Sequence, residues 1–244
     1  MKKTVKRSWT DDELILRVTA VEEIKKLANK RVYYMINEWR GAELDTLWVS
    51  EPDHAASASF GKNTGFYVGM DSIRSYYVDK HARDLGDGIG TMNAFPLSTG
   101  LVELAGDGQT ARGLWYCIGQ TTSPNGDGTA CALWVTGKVA IDFILEKGSW
   151  KIWHLVESND INCEAGTNYE DQPVYIDYAK DPVAVEFGTP DIPMITHDVT
   201  FNWWDNYPAM PEPYDRWDDE NSYGPEGYPE RKEYHFGAGE GGNY

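Results

Sequence analysis

Residues Ala130 to Asp160 read ACALWVTGKVAIDFILEKGSWKIWHLVESND, two apolar runs joined by Glu146-Lys147-Gly148-Ser149. Val, Ile, Leu, Phe and Trp dominate up to Leu145; from Trp150 to Asn159 polar and apolar residues alternate, the period of a half-buried antiparallel strand. The spacing predicts a long hairpin that forms the spine of a sheet. Alternation places Trp150, Ile152, His154, Val156 and Ser158 on one face, with Lys151, Trp153, Leu155, Glu157 and Asn159 on the other. A histidine is therefore expected in an apolar row.

Helices precede this hairpin. Thr10 and Glu13 have capping-box spacing, and Leu14, Val18, Val21, Ile24, Leu27, Ala28, Met35 and Trp39 recur near the 3.6 period. One long helix, or two broken near Thr19, is expected up to Gly41. A second should run from Ala42 to Val49 and stop at Pro52; loop and a weak strand fill Asp53 to Val68; a third helix spans Ser72 to His81 with Asp71 as N-cap. Gly86-Asp87-Gly88-Ile89-Gly90 lacks the strand and helix of a phosphate loop and reads as a mobile loop. Strands follow at Leu101–Leu104 and Thr110–Gln120, and the tip Ser123–Gly128 turns the chain into the hairpin. Helices followed by a meander indicate an α+β domain with helices on one face of a curved sheet.

Composition narrows the partners. The 244 residues carry a net charge of −17, and residues 160–244 hold 4 Lys and Arg against 19 Asp and Glu. Such acidity disfavours nucleic acid and anionic membrane as partners. Cys117, Cys131 and Cys163 form neither a C-x-x-C pair nor an even set, so no disulfide framework or zinc site is indicated, and a reducing, cytoplasmic setting fits. The basic start Met1–Arg7 leads into polar residues rather than an apolar run, unlike a signal peptide.

Several segments taken together resemble the SnoaL-like branch of the nuclear transport factor 2-like superfamily. They are Ile24-x-x-Leu27 running into Arg31-Val32-Tyr33-Tyr34, then Leu44-Asp45-Thr46-Leu47-Trp48, Gly69-Met70-Asp71-Ser72-Ile73, Gly106–Gly113, and Glu146–Ile152. The likeness covers about residues 15–160 and places a domain at 10–160. It implies a cone-shaped α+β fold (a cystatin-like α+β barrel) with a pocket between sheet and helices and no need for a metal or organic cofactor. Relatives include scytalone dehydratase, ketosteroid isomerase and polyketide cyclases, which move protons beside a carbonyl or a leaving hydroxyl.

That chemistry needs a titratable group in a dry pocket. His154 is the first candidate, with a satisfied core histidine as the alternative. Tyr33 and Glu38 have the five-residue spacing at which dehydratase relatives place a tyrosine and an acid; core packing and a solvated helix end are the alternatives. His81 ends a helix, where an imidazolium also suits the dipole. Candidate substrate contacts are Tyr34, Trp48, Tyr77, Asn93, Trp115, Lys138 and Asp142, the last two sharing a strand face and readable as an outer ion pair. Cys117 reads as pocket wall.

Residues 161–244 hold 15 of the 32 aromatic residues, more than disordered segments carry. An acidic extension wrapping the domain or a neighbouring subunit is expected, anchored by Tyr175, Phe201, Trp203, Trp204, Tyr207 and Trp217. The expected protein is a homo-oligomer, most simply a homodimer through the outer sheet face. It acts as a cofactor-independent lyase, dehydratase or isomerase on a bulky aromatic or polycyclic hydroxy or carbonyl compound in a mostly apolar pocket. The alternative is a non-catalytic binding or assembly protein.

Overall fold

The computed structural model describes residues 8–63, 65–82, 91–124, 129–167, 190–193 and 208–228. The first helix, α1 (Asp11–Ile36), is unbroken at Thr19. Thr10 and Glu13 close a reciprocal capping box at its start, and Ile24, Leu27, Ala28, Val32 and Met35 form its buried stripe. α2 (Arg40–Leu47) follows after a tight reversal. Pro52 opens a helix rather than ending one: it stands in the first turn of α3 (Pro52–Ser57), where its missing N–H costs nothing. The short hairpin β1 (Ser59–Lys62) and β2 (Gly65–Val68) then leads to α4 (Met70–Arg74). The cap of α4 is Gly69 at φ 82°, not Asp71, and the helix passes directly into a π-helical turn at Ser75–Lys80.

Five strands complete the main sheet: β3 (Met92–Ala94), β4 (Leu97–Leu104), β5 (Thr110–Pro124), β6 (Ala130–Glu146) and β7 (Ser149–Glu164). A two-residue strand, β8 (Ile192–Pro193), extends it, giving the order β3-β5-β6-β7-β1-β2-β8 with β4 also on β5. All pairs are antiparallel except β1 with β7. The spine is the expected β6–β7 hairpin, closed at Lys147 (φ 48°) and Gly148 (φ 79°). Two successive positive φ values make the tight turn whose twist matches the flanking strands. The Gly-rich segment at 86–90 and the tip at 125–128 lie outside the described residues.

One irregularity in β7 redirects its side chains. Phe143 pairs with Ile152 and Asp142 with His154, so Trp153 is an extra residue on β7. Such a bulge exchanges the two faces of the strand beyond it. Trp150 and Ile152 face the helices as expected, packed with Phe143, Ile141 and Phe60. Beyond the bulge Leu155 joins that inner core, while Val156 packs with Ala140, Leu114, Phe66 and Tyr223 in a second cluster on the outer face. His154 therefore points outward with Asp142, contrary to the strict alternation read from the sequence. A second register shift, between Thr136 and Gly137, makes Asp160 an extra residue of β7 at that point.

The outer face is covered by residues 208–228. Gly106 and Asp107 donate backbone hydrogen bonds to the carbonyls of Tyr214 and Asp215. The Arg112 guanidinium lies 4.2 Å from the Tyr214 ring and 5.1 Å from that of Trp217. Trp217 stacks on His154 and packs against Trp153. Of the expected anchors Trp217 thus holds the tail to its own domain, and Tyr175, Phe201, Trp203, Trp204 and Tyr207 lie outside the described residues.

Candidate active site

Between α1, the α4–π helix and the inner sheet face is a cavity of about 290 Å³. Its floor is a buried ionic cluster. Arg31 falls within the apolar stripe of α1, four residues from both Leu27 and Met35, and so is carried into the core with 1% exposure. It meets Glu157 of β7 and Glu43 of α2; the Nε–Oε1 distance to Glu43 is 3.2 Å but the N–H is misaimed, leaving Nε without a hydrogen bond. Glu157 also accepts from Lys62 at 3.1 Å, and Glu43 from Tyr77 Oη at 2.7 Å and Trp48 Nε1 at 3.3 Å. Burial opposes the charge of Glu157, but Lys62 and Arg31 overcome it and hold the carboxyl down at about 2. Burial dominates at Glu43 and pushes its carboxyl up in spite of Arg31.

At another edge of the cavity stands a histidine–carboxylate pair. Glu38 lies two residues past the end of α1 with φ 58°, a left-handed backbone that a glutamate adopts only at a cost. This turn aims its carboxylate at His81, whose Nε2 is 2.7 Å from Oε2. Arg40 Nε reaches Oε2 at 3.0 Å, and the Asn93 amide donates to Oε1. Thr121 donates to Asn93 Oδ1 at 2.7 Å, which orients the amide. Burial raises the Glu38 pKa, but the His81 hydrogen bond, Arg40 and Asn93 outweigh it and hold the group at about 2. An ionised Glu38 requires His81 to donate through Nε2, so that in the neutral imidazole Nδ1 is the nitrogen that can accept a proton. The π-helical turn brings Tyr76, Tyr77, Lys80 and His81 to the same cavity wall.

The candidates read from sequence separate into two groups. His81, Tyr77 and Asn93 line the cavity, with Glu38 behind His81 and Asn93 and with Trp48 behind the floor. Tyr33 is 67% exposed and does not meet Glu38, because the helix ends between them. Tyr34 packs edge-on against Trp39 and receives the Thr46 hydroxyl, outside the cavity lining. Trp115 is core: a Cβ on Gly113 would stand 2.4 Å from its ring. Cys117 lines the cavity, and burial pushes its thiol up to about 12, where it is no nucleophile.

His154, Lys138 and Asp142 are on the outer face. The Lys138–Asp142 ion pair does not form: Asp142 Oδ2 accepts from Tyr223 N at 2.7 Å and Ser222 Oγ at 3.2 Å, and its nearest cation is Arg112 at 3.9 Å. Burial raises Asp142 to about 7, against these partners. His154 meets Ser59 Oγ at 2.9 Å, and burial lowers it to about 3. The bulge at Trp153 removes the ground for placing His154 in the reaction. The mostly apolar pocket is also corrected, since Arg31, Arg40, Lys62 and Lys80 all line it. Sequence reasoning missed Arg31, Arg40, Lys62, Tyr76 and Glu157; of these, only Arg31 in an apolar stripe carried a legible signal. Among the described residues no cluster of His, Cys, Asp or Glu is placed to hold a metal ion, and no helix is long and apolar enough to cross a membrane.

The SnoaL-like domain family matches residues 16–156, from the middle of α1 to β7. The chain belongs to this family. Its SnoaL-like region contains the whole cavity floor except Glu157, Asn159 and Asn162, while the covering segment at 208–228 is outside it. No curated protein matches the chain. Among solved structures it is similar to hexachlorocyclohexane dehydrochlorinase LinA-type3 from Novosphingobium barchaimii LL02, at 14% identity and TM-score 0.47 over 63% of this chain and 96% of the other. Aln2 from a Streptomyces species is similar at 19% identity and TM-score 0.42 over 63% and 95%. A protein of Novosphingobium aromaticivorans DSM 12444 provisionally named a scytalone dehydratase is similar at 9% identity and TM-score 0.48 over 64% and 93%.

Proposed function

We propose that this SnoaL-like protein is a cofactor-independent lyase or isomerase, of dehydratase type, acting on an aromatic hydroxy or carbonyl compound. The observation that carries the reading is the His81–Glu38 pair at the cavity. Glu38 fixes the imidazole tautomer and its negative charge stabilises the imidazolium that forms when Nδ1 takes a proton from carbon. The imidazolium then returns that proton, to a leaving hydroxyl in a dehydration or to a second carbon in an isomerisation. Asn93 and Arg40 keep Glu38 ionised, so the carboxylate orients the base rather than competing for the proton. A cavity of about 290 Å³ is at the small end for ligand sites and suits one or two rings.

The test is NMR of aromatic ketones and β-hydroxy carbonyl compounds in D₂O, read as deuterium uptake at carbon or loss of water. His81→Gln and Glu38→Gln should each lower the rate by roughly 10²–10⁴-fold in a protein that remains folded by circular dichroism. A rate untouched by His81→Gln would overturn the assignment. Ligands that bind and never exchange would mark a binding protein.

A further inference from the structure

A second wall of the cavity offers hydrogen-bond donors without matching acceptors. Lys62 is the centre of this wall. It stands on β1, separated in the sheet from β3, which carries Asn93, by β5, β6 and β7. About a third of the Lys62 side-chain surface, 33%, is accessible, and the residue lines the cavity. An ammonium has three N–H donors, and among the described residues Glu157 takes one. Tyr76 lines the same cavity, with its ring fixed by stacking on Tyr67 at 3.8 Å. Asn159 follows two residues after Glu157, and its backbone is tied to Asn63 beside Lys62, so its side-chain amide lines the same wall.

Charge strengthens the case. Glu157 is shared by Arg31 and Lys62, and the second carboxylate of the cluster, Glu43, pairs with Arg31 and not with Lys62. Glu43 sits behind Arg31, engaged by Tyr77 and Trp48 and turned away from the cavity lining. The surface left for a ligand is an ammonium, a phenol and an amide. A ligand cation would be repelled, and a neutral group would displace water from Lys62 without returning a counter-charge. A carboxylate supplies acceptors and charge together. The lining also includes apolar side chains, among them Met35, Leu97 and Val139, that can seat a flat ring.

We propose that the ligand of this cavity is an aromatic carboxylic acid of one or two rings, its carboxylate held by Lys62 with Tyr76 and Asn159, and its ring directed toward His81. This names the substrate class for the reaction proposed above and rests on that reading only for what happens at His81.

Calorimetric titration with benzoate, cinnamate and 2-naphthoate, each beside its primary amide, tests it. At least one acid should bind the wild-type protein ten-fold or more tightly than its amide. Lys62→Met should weaken that acid by 10- to 100-fold and leave the amide unchanged, and Lys62→Arg should keep the preference. Should Lys62→Met fail to fold, Tyr76→Phe and Asn159→Leu serve instead, each expected to weaken the acid several-fold. Equal affinity for acid and amide in every pair, absence of binding by all three acids, or a preference that survives Lys62→Met would overturn the proposal. His81→Gln should retain the acid preference, so a failed catalytic reading leaves this result standing and a failed anchor leaves the His81 test untouched.

Discussion

Two buried groups on the outer face titrate in opposite senses. His154 is neutral when folded, with its pKa lowered to about 3 from 6.5 by burial. Between those values the unfolded chain binds the extra proton, so this contribution is complete above pH 6.5 and is lost as pH falls toward 3, by an amount on the order of a few kcal/mol. Asp142 works the other way: raised to about 7 from 3.8, it binds more protons when folded, and its contribution declines as pH rises through that window. Asp142→Asn should therefore be better tolerated at pH 8 than at pH 5, measured by urea unfolding at the two values. A variant equally destabilised at both would show that Asp142 is already ionised at pH 5. Glu38 and Glu157, held near 2, add stability above 4.5 that disappears as pH falls toward 2. Unfolding free energy should therefore begin to fall below pH 6.5 through His154 and fall further below 4.5 as the carboxylates are protonated.

At the level of the strand, the bulge at Trp153 and the register shift at Gly137 decide which side chains see the cavity. A Cβ on Gly137 would lie 2.2 Å from the Ser158 carbonyl oxygen and 2.7 Å from the Asn159 Cα, backbone atoms that cannot swing away. Gly137→Ala should cost roughly 1–3 kcal/mol in chemical unfolding and move the Asn159 wall. An unchanged midpoint would mean the two strands separate there at no cost. The covering segment is held to β7 by Trp217, which stacks on His154 at 5.7 Å. Trp217→Ala admits water to the imidazole, so its NMR titration should shift upward from about 3 toward 6.5. A His154 titration that stays put would assign its burial to other residues.

Over the whole molecule, the acidic tail and the nearly neutral domain are joined by rings and short hydrogen bonds rather than by long-range charge. Truncation before residue 208 should strip Asp142, His154 and Arg112 of their cover and lower the melting temperature by several degrees, while moderate salt should leave the intact protein unaffected. A truncated protein with the same melting temperature would make the cover idle. Trp134 at 43% and Ile118 at 59% exposure keep an apolar patch open, the surface through which we propose that a homodimer forms. Sedimentation showing a monomer at micromolar concentration would remove that assembly.

The sequence by itself determined what is local and periodic. The capping box, the apolar stripe of α1, the positive-φ turn at Lys147-Gly148 and the two long strands of the spine were legible because each depends on neighbours within a few residues. Glu38, His81, Tyr77 and Asn93 were legible as candidates, though not as partners. Their meeting depends on a left-handed turn at Glu38, a π-helical turn at Ser75–Lys80 and a strand pairing at β3, none of which has a periodic signature. His154 shows the limit most plainly. One extra residue at Trp153 reverses the faces of β7 from His154 as far as the second shift at Asp160, and a bulge of this kind is fixed by how β7 pairs with Asp142 and Phe143 of β6, which alternation along one strand does not encode. Tertiary structure alone decided the ionic floor as well, since Arg31, Glu43, Lys62 and Glu157 come from four separate elements whose charges become a cluster only when the core closes around them.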